Sequence, residues 1–407
     1  LRKGKSACGR AAELIFPEYF FEMNIHYQRF RRFFAVLTGI VFVFSGTFKL
    51  MDPVGTSLIV GEYLSFFHLS FLKWAAMPMA IALALSETFL GISLMSGVLR
   101  KFVAIATFSL CGFFSVVTAL LAIYNPPMDC GCFGEVISLT HLQSLMKNLV
   151  LLAFCCIAFI PFRDYGSPKG VSKWISFSLG LLLSVALLTY SLLALPFRDY
   201  TSLRPGTRLT ASLEDSAPAE IQAVFIYGKD GVEKEFTLED ELPDSTWTFL
   251  RSETSAPRVE SVPLSIRVPS AEADVYADSL LASGNVLIIS TWKGQEELKP
   301  AARALLEEFS AAGGTSLHLC LTRAADEFSY MCDRRSILAL NRSNGGATLI
   351  QDGVVIRKWS SLFLPSVDEL LALADNEALG NLSDVESRSN LLQQSYFYLL
   401  FSLLLFL

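Results

Sequence analysis

Five long apolar runs in the first half of the chain limit what it can fold into. A run of about 20 apolar residues is long enough to cross a bilayer as a helix. These runs cover residues 33–50, 75–96, 102–123, 145–162 and 175–195, and a sixth, shorter run at 391–407 closes the sequence. The sequence therefore predicts an α-helical membrane bundle that contacts the lipid bilayer.

Composition separates this membrane part from a soluble part. The chain has 407 residues, of which 52% are hydrophobic, and a net charge of −6 without a basic face, so a nucleic-acid partner is not expected. The apolar residues are concentrated before residue 197 and after residue 390, which leaves a soluble segment between them. Eight cysteines in a chain of this length do not form a dense secreted disulfide framework.

These shifts give a predicted division of the chain. Residues 1–28 are a leader, and one hypothesis is that its residues 1–22 lie upstream of a true start at Met23 and are not translated. We expect no cleavable signal peptide, because the first apolar run is long enough to remain as an anchor. The predicted domains are a membrane domain at 29–163, a fifth transmembrane helix within 164–197, a linker with short strands at 198–270, an α/β domain at 271–385 and a C-terminal helix at 391–407.

Lysine and arginine in the short loops predict the orientation of the bundle. Basic residues cluster before the first run, between the second and third, and between the fourth and fifth, namely Arg29, Arg31, Arg32, Arg100, Lys101, Arg163, Lys169 and Lys173. Such clusters face the cytoplasm. The loop at 51–74, the loop at 129–134 and the soluble segment are then on the opposite, oxidising side.

The soluble segment has the pattern of a thioredoxin-like domain without its redox motif. Apolar strands and an amphipathic helix follow the order β-α-β-α-β-β-α between residues 285 and 373. A thioredoxin carries Cys-x-x-Cys after its first core strand, but residues 291–296 contain no cysteine, and residues 343–347 contain no proline. Cys320 is predicted to be buried in a strand, and Cys332 is predicted to be the exposed thiol of this domain.

The polar loop Asp129-Cys130-Gly131-Cys132-Phe133-Gly134 holds the candidate redox pair. A thiolate attacks a disulfide at a rate set by its access and its pKa, and a strained Cys-x-Cys bridge would be a strong oxidant. A membrane quinone would be the natural acceptor of the electrons, although no residue marks a quinone site. Two structural interpretations stay open, a static disulfide and a packed turn. Metal binding is disfavoured, because it needs about four ligands and only His141 is near in sequence.

Charged residues within or next to the apolar runs are further site candidates. Glu87 stands inside the second run, while Lys49 and Asp52 end the first. A carboxylate within a membrane helix is costly, so by default it indicates a functional site. The alternative is that Glu87 joins helices by a hydrogen bond to a hydroxyl group such as that of Ser45 or Thr47.

Several of these residues give the chain a resemblance to a known family. The stretch from Ser45 to Pro53, Glu87 with Gly91, and the Cys-Gly-Cys loop resemble the DoxX/MauE-like four-helix membrane proteins over residues 30–162. MauE proteins are associated with the maturation of a disulfide-rich periplasmic enzyme, alongside a thioredoxin-like partner. The resemblance implies membrane-linked thiol–disulfide chemistry in a bacterial inner membrane, with the soluble domain in the periplasm.

Two main functions follow as hypotheses. The first is a thiol–disulfide redox or electron-transfer protein that acts through Cys130 and Cys132 on an envelope protein or on its own thioredoxin-like domain. This hypothesis includes an enzyme, a membrane thiol–disulfide oxidoreductase. The second is a non-enzymatic membrane scaffold whose degenerate thioredoxin-like domain binds an envelope partner. A transporter is a weaker third hypothesis, because apart from Glu87 the apolar runs have few polar residues that would line a path.

Overall fold

The computed structural model describes most of the chain in two compact units. The described residues are 7–128, 130–137, 139–160, 170–210, 223–229, 232–236, 247–254, 261–268, 275–276, 278–282, 284–292, 298–322, 328–375 and 378–406. Asp129, Arg163, Lys169, the first six residues of the predicted leader, and residues 293–296 of the cysteine-free stretch lie outside these ranges. The first unit comprises Leu1–Leu192, Pro196–Arg198 and Asn390–Leu407, and the second comprises Leu193–Leu195 and Asp199–Ser389.

The first unit is a bundle of long apolar helices, as predicted. Its elements are α1 Ala7–Met51, α2 Pro53–Phe66, α3 Ala76–Ser96, α4 Arg100–Tyr124, the short strand β1 Cys132–Glu135, α5 His141–Phe159 and α6 Val171–Leu193. Five candidate membrane spans are found among the described residues, at Tyr27–Met51, Ser70–Ser96, Arg100–Tyr124, His141–Phe159 and Val171–Leu193. The sixth predicted run is also helical, within Ala378–Phe406, but it is not one of these five.

Helices α1 and α3 pack closely because small residues line their contact. A Cβ atom on Gly46 would lie 2.2 Å from Thr88 Oγ1, and one on Gly91 would lie 2.6 Å from the Val43 nitrogen. Small residues allow such backbone approach in membrane helices, where packing rather than water exclusion drives association. This approach brings the polar side chains of α1 within reach of Glu87 on α3.

The two ends of this bundle have different chemistry. At one end, Arg31 Nε donates to the Ala158 carbonyl at 2.9 Å, and Arg32 Nη1 donates to the Leu94 carbonyl at 2.5 Å. Towards the other end of α1, Lys49 donates to the carbonyl of Cys132 at 2.5 Å. The arginines that precede the first span and the Cys-Gly-Cys loop therefore lie at opposite ends of the bundle.

The segment between the first two spans, predicted as a loop at 51–74, is mostly helical. Asp52 caps α2, and Ile59 and Leu64 are buried on its inner face. A 3₁₀ helix, Ser70–Ala75, follows, and there Phe71 and Trp74 are exposed. The apolar character of this segment thus has two origins: part of it packs on the bundle, and part remains outside.

The second unit is built mainly from strands. Its first strands are β2 Arg208–Thr210, β3 Ala223–Lys229, β4 Val232–Phe236, β5 Thr248–Thr254, β6 Ser261–Pro263, β7 Arg267–Val268 and β8 Val275–Tyr276. The later elements are β9 Asn285–Ser290, α7 Pro300–Ala311, β10 Thr315–Cys320, β11 Ser329–Met331, α8 Arg334–Leu340, β12 Gly346–Gln351, β13 Val354–Trp359 and α9 Val367–Asp375. The last helix, α10 Ala378–Phe406, begins in this unit, and its residues from Asn390 onwards belong to the first unit. Among the described strands, nine form a mixed sheet in the order β6-β2-β13-β12-β9-β10-β11-β7-β8, and β4-β3-β5 form a separate sheet.

The core of the mixed sheet contains both cysteines of this unit. Strands β9 and β10 are parallel, and β12 is antiparallel to β9. Cys320 is 0% exposed, as predicted, whereas Cys332 is 3% exposed. The prediction that Cys332 is exposed is therefore wrong. The residue packs in the apolar cluster formed by Leu317, Leu319 and Ile337 with their neighbours.

Candidate functional site

The Cys-Gly-Cys loop lies between α4 and α5 and is shaped by its glycine. Cys130 is 4% exposed, Cys132 is half-buried, and both carry thiols rather than a disulfide. Gly131 has φ of +59°, a region that favours glycine, and a Cβ atom there would lie 2.5 Å from Ile59 Cγ2. Both the backbone conformation and the contact with α2 therefore require glycine between the two cysteines.

Side chains from α1 and α2 hold the loop by its carbonyl groups. The Cys132 carbonyl accepts hydrogen bonds from Lys49 Nζ at 2.5 Å and Ser45 Oγ at 2.7 Å. The Cys130 carbonyl accepts a hydrogen bond from the Tyr63 hydroxyl. These bonds fix the backbone on both sides of Gly131 without using either sulfur atom.

Lys49 and Glu87 form a buried ion pair beneath the loop. Their side chains are 3% and 6% exposed, and Lys49 Nζ lies 2.8 Å from Glu87 Oε2. Lys49 also donates to Ser45 Oγ at 2.7 Å, and Ser45 Oγ lies 2.7 Å from Glu87 Oε2. An ammonium group has three N–H donors, and here it meets three acceptors, including the Cys132 carbonyl. Glu87 thus contacts the Ser45 hydroxyl, as the helix-joining alternative expects. It is also linked to the loop, because its ion-pair partner Lys49 bonds to the Cys132 carbonyl.

His141, considered in the sequence only as a nearby metal ligand, contacts Cys130 directly. Its Nδ1 lies 2.8 Å from Cys130 Sγ, and its Nε2 lies 2.9 Å from the Pro126 carbonyl. His141 is the first residue of α5, where Thr140 and Gln143 form a capping box. The Thr-x-x-Gln pattern was the signal in the sequence that α5 starts here and therefore that His141 stands close to the loop.

Asp52 has a structural contact of a different kind. Its Oδ1 accepts a hydrogen bond from the Gly55 nitrogen at 2.8 Å, which caps the start of α2. Capping places α2, and α2 in turn supplies Ile59 and Tyr63 to the loop. Among the described side chains, no group of three or more His, Cys, Asp or Glu residues converges as a metal site would require.

Fold and site together define a multi-pass membrane protein with a polar cluster beneath a Cys-Gly-Cys loop. Residues 28–161 match the family described as methylamine utilisation protein MauE, so this part of the chain is a MauE-like membrane domain. Residues 221–256, which include β3, β4 and β5, match a domain of unknown function, DUF8463. Neither the curated proteins nor the solved structures contain a match.

Proposed function

We propose that this protein exchanges thiols and disulfides with envelope proteins through Cys130 and Cys132. The observation that carries the proposal is the set of hydrogen bonds from Lys49, Ser45 and Tyr63 to the loop carbonyls. Because these bonds already hold the loop, a bridge between the cysteines is not needed to keep its shape. A fixed backbone with two adjacent thiols, one of them half-buried, suits a pair that is oxidised and reduced repeatedly.

The reaction is balanced by the two cysteine pairs themselves. A partner dithiol gives two electrons to a Cys130–Cys132 disulfide, so that the partner leaves with a disulfide and this protein retains two thiols. Each step is the attack of a thiolate on a disulfide sulfur through a mixed disulfide. The reverse reaction reduces a partner disulfide by the same steps.

The position of the basic residues supports an envelope location for the loop. Arg31 and Arg32 bond to the ends of α5 and α3 at the end of the bundle opposite the loop. Under the positive-inside rule that end faces the cytoplasm. The cysteine pair then faces the periplasm of a bacterial inner membrane, where disulfides form and persist.

A second candidate function, a binding scaffold, is favoured by the second unit. Its strand order β13-β12-β9-β10, with β12 antiparallel to β9, supports the thioredoxin-like core that we expect from the sequence. Its two cysteines, Cys320 and Cys332, are buried, and the Trp292 nitrogen donates to Asn344 Oδ1 at 2.7 Å between two loops that would flank a thioredoxin active site. This unit is therefore suited to holding an envelope partner rather than to exchanging thiols with it.

The test is the redox state of the pair in living cells. Cells are treated with a membrane-impermeant alkylating reagent, with and without prior reduction, and Cys130 and Cys132 are quantified by mass spectrometry. We expect a mixture of reduced and oxidised pairs that shifts when respiration is blocked. Replacing both cysteines by serine should change the disulfide content of envelope proteins, whereas Cys156→Ser, a matched change on α5, should not. A pair that stays fully oxidised when respiration is blocked, with an unchanged envelope in the double variant, would refute the proposal.

A further inference from the structure

We propose that His141 takes and returns the proton of Cys130, so that Cys132 is the sulfur that partners attack and Cys130 is the leaving and resolving sulfur. This inference rests on the proposed function and assigns the roles within its cysteine pair. It starts from two distances, 2.8 Å between Cys130 Sγ and His141 Nδ1 and 2.9 Å between His141 Nε2 and the Pro126 carbonyl.

The Pro126 carbonyl determines which imidazole nitrogen carries hydrogen. A carbonyl oxygen can only accept, so His141 Nε2 must be the N–H donor of that bond. In the neutral ring, Nδ1 then has the lone pair, and it points to the Cys130 thiol. After proton transfer, both ring nitrogens carry hydrogen, and each still has an acceptor, the thiolate on one side and the carbonyl on the other.

The surroundings favour this transfer because it creates no net charge. The Cys130–His141 pair is neutral before the transfer, and afterwards it is a thiolate and an imidazolium 2.8 Å apart. The start of α5, whose first residue is His141, carries a partial positive charge that stabilises a nearby thiolate but opposes the imidazolium, so the attraction between the two new charges at 2.8 Å is what favours the transfer. The described ionisable groups of the surrounding elements that lie towards the loop include Lys49 and Asp52 on α1 and at its end, Glu62 and Tyr63 on α2, Glu87 on α3, Tyr124 on α4, Glu135 on β1 and Lys147 on α5. Lys49 and Glu87 neutralise each other.

Burial gives the two sulfur atoms different roles. Cys132 is half-buried and Cys130 is 4% exposed, so an incoming thiolate reaches Cys132 first. Its attack on the oxidised pair forms a bond between the partner sulfur and Cys132 and breaks the Cys130–Cys132 bond, and the electron pair stays on Cys130. His141 Nδ1 takes up the proton that the partner thiol loses on becoming a thiolate, and the resulting imidazolium stabilises the Cys130 thiolate and then protonates it. A second partner thiolate next attacks the partner sulfur and releases Cys132. In the reverse direction, His141 removes the Cys130 proton, and Cys130 attacks the mixed disulfide at Cys132.

The test follows two successive attacks by the reduced full-length protein in nanodiscs. In excess 5,5′-dithiobis(2-nitrobenzoate), Cys132 releases one thionitrobenzoate as it forms a mixed disulfide, and Cys130 releases a second as it closes the bridge. The signal of the other six cysteines is measured on the Cys130→Ser/Cys132→Ser variant and subtracted. For His141→Gln we expect an unchanged first phase and a second phase about tenfold slower at pH 7, equivalent to one pH unit in thiolate formation. The difference should disappear above about pH 9, where a thiol ionises without a base.

A merely structural role for His141 is distinguished by a matched variant. Thr140→Ala removes the cap of α5 but keeps the imidazole. We expect it to leave the pH dependence of the second phase as in the wild type. If His141→Gln slows both phases equally at every pH, or leaves the second phase unchanged, the inference is overturned while the proposed function stands. If the wild type releases no second thionitrobenzoate from the pair at any pH, the proposed function itself fails.

Discussion

Replacing Glu87 by glutamine should destabilise the membrane bundle strongly, because it leaves the Lys49 ammonium buried without a counter-charge. The two groups are 2.8 Å apart and their side chains are 3% and 6% exposed. At an effective dielectric constant of about 20, charges at this distance attract by ~6 kcal/mol, part of which offsets their desolvation. Breaking a buried pair by removing one partner costs about 3–5 kcal/mol. We expect the same range for Glu87→Gln and for Lys49→Met.

The double variant measures how much of this cost belongs to the pair. Lys49→Met/Glu87→Gln has no buried charge at these positions, and the Ser45 hydroxyl can still donate to the loop carbonyl while its oxygen accepts from the introduced amide. We therefore expect it to be more stable than the sum of the two single changes predicts, by at least about 2 kcal/mol. Replacement of a buried pair as a whole is often neutral.

The stability of the bundle is measured by the reactivity of two cysteines buried within it. Cys111 on α4 and Cys155 on α5 are 3% and 0% exposed, so they react with a maleimide only when the bundle opens. Labelling of these two sites during heating, quantified by mass spectrometry, gives a midpoint for this unit. A loss of 3–5 kcal/mol corresponds to about 6–20 °C for a unit of this size. Glu307→Gln, which breaks an exposed ion pair with Arg303 in the second unit, is the control and should leave this midpoint unchanged. Single variants within about 2 °C of the wild type, or a double variant equal to their sum, would refute this reasoning.

Two further predictions concern the loop and the second unit. Gly131→Ala should lower the free energy of unfolding by about 1–2 kcal/mol because of its positive φ, and the new Cβ should add strain against Ile59. The same change should speed alkylation of Cys130. Gly112→Ala, where a Cβ would meet no atom within 4 Å, should have neither effect. Burial opposes ionisation of Asp199, but the Lys358 ammonium at 2.5 Å and hydrogen bonds hold the pKa of this carboxyl below its ordinary 3.8. Its stabilising contribution is therefore complete above that pKa and is lost as pH falls through the lower folded-state value. Hydrogen exchange of the β13 amides should show this loss of stability at acid pH in the wild type. Asp199→Asn should show no such loss between the folded-state pKa and the ordinary pKa of Asp199. Equal pH dependence in the two proteins would contradict this prediction.

The sequence could predict the membrane helices because each one satisfies its backbone within itself. Length and hydropathy are then sufficient, and the five predicted spans agree with five helices that are apolar enough to cross a membrane. Glu87 and Lys49 could each be identified as a candidate site residue, though not as a pair, because an ionisable group in an apolar run is costly wherever the helix packs. The strands β9, β10, β12 and β13 could also be predicted, since each contains a cluster of apolar residues and turn residues stand between them.

Residues that depend on contacts between elements could not be predicted in the same way. The meeting of Lys49, Glu87 and the Cys132 carbonyl depends on the close approach of α1 and α3, which hydropathy does not encode. His141 lies 11 residues after Cys130, and its contact with that thiol depends on how the intervening chain folds back. Cys332 follows a strand whose polar neighbours suggested exposure, but packing against Ile337 buries it.

The Lys49–Glu87 pair bears on the choice between a redox protein and a scaffold. A buried ion pair gives little net stability over two apolar side chains of similar volume, because the attraction roughly offsets the desolvation of both charges. An apolar pair, however, has no donor for the Cys132 carbonyl, whereas the Lys49 ammonium supplies one at 2.5 Å and still satisfies Glu87 and Ser45. What the charges add is thus a fixed backbone at Cys132. A fixed backbone matters most where the sulfur must approach both a partner and Cys130 in a defined geometry, and it matters least for a loop that merely connects two helices.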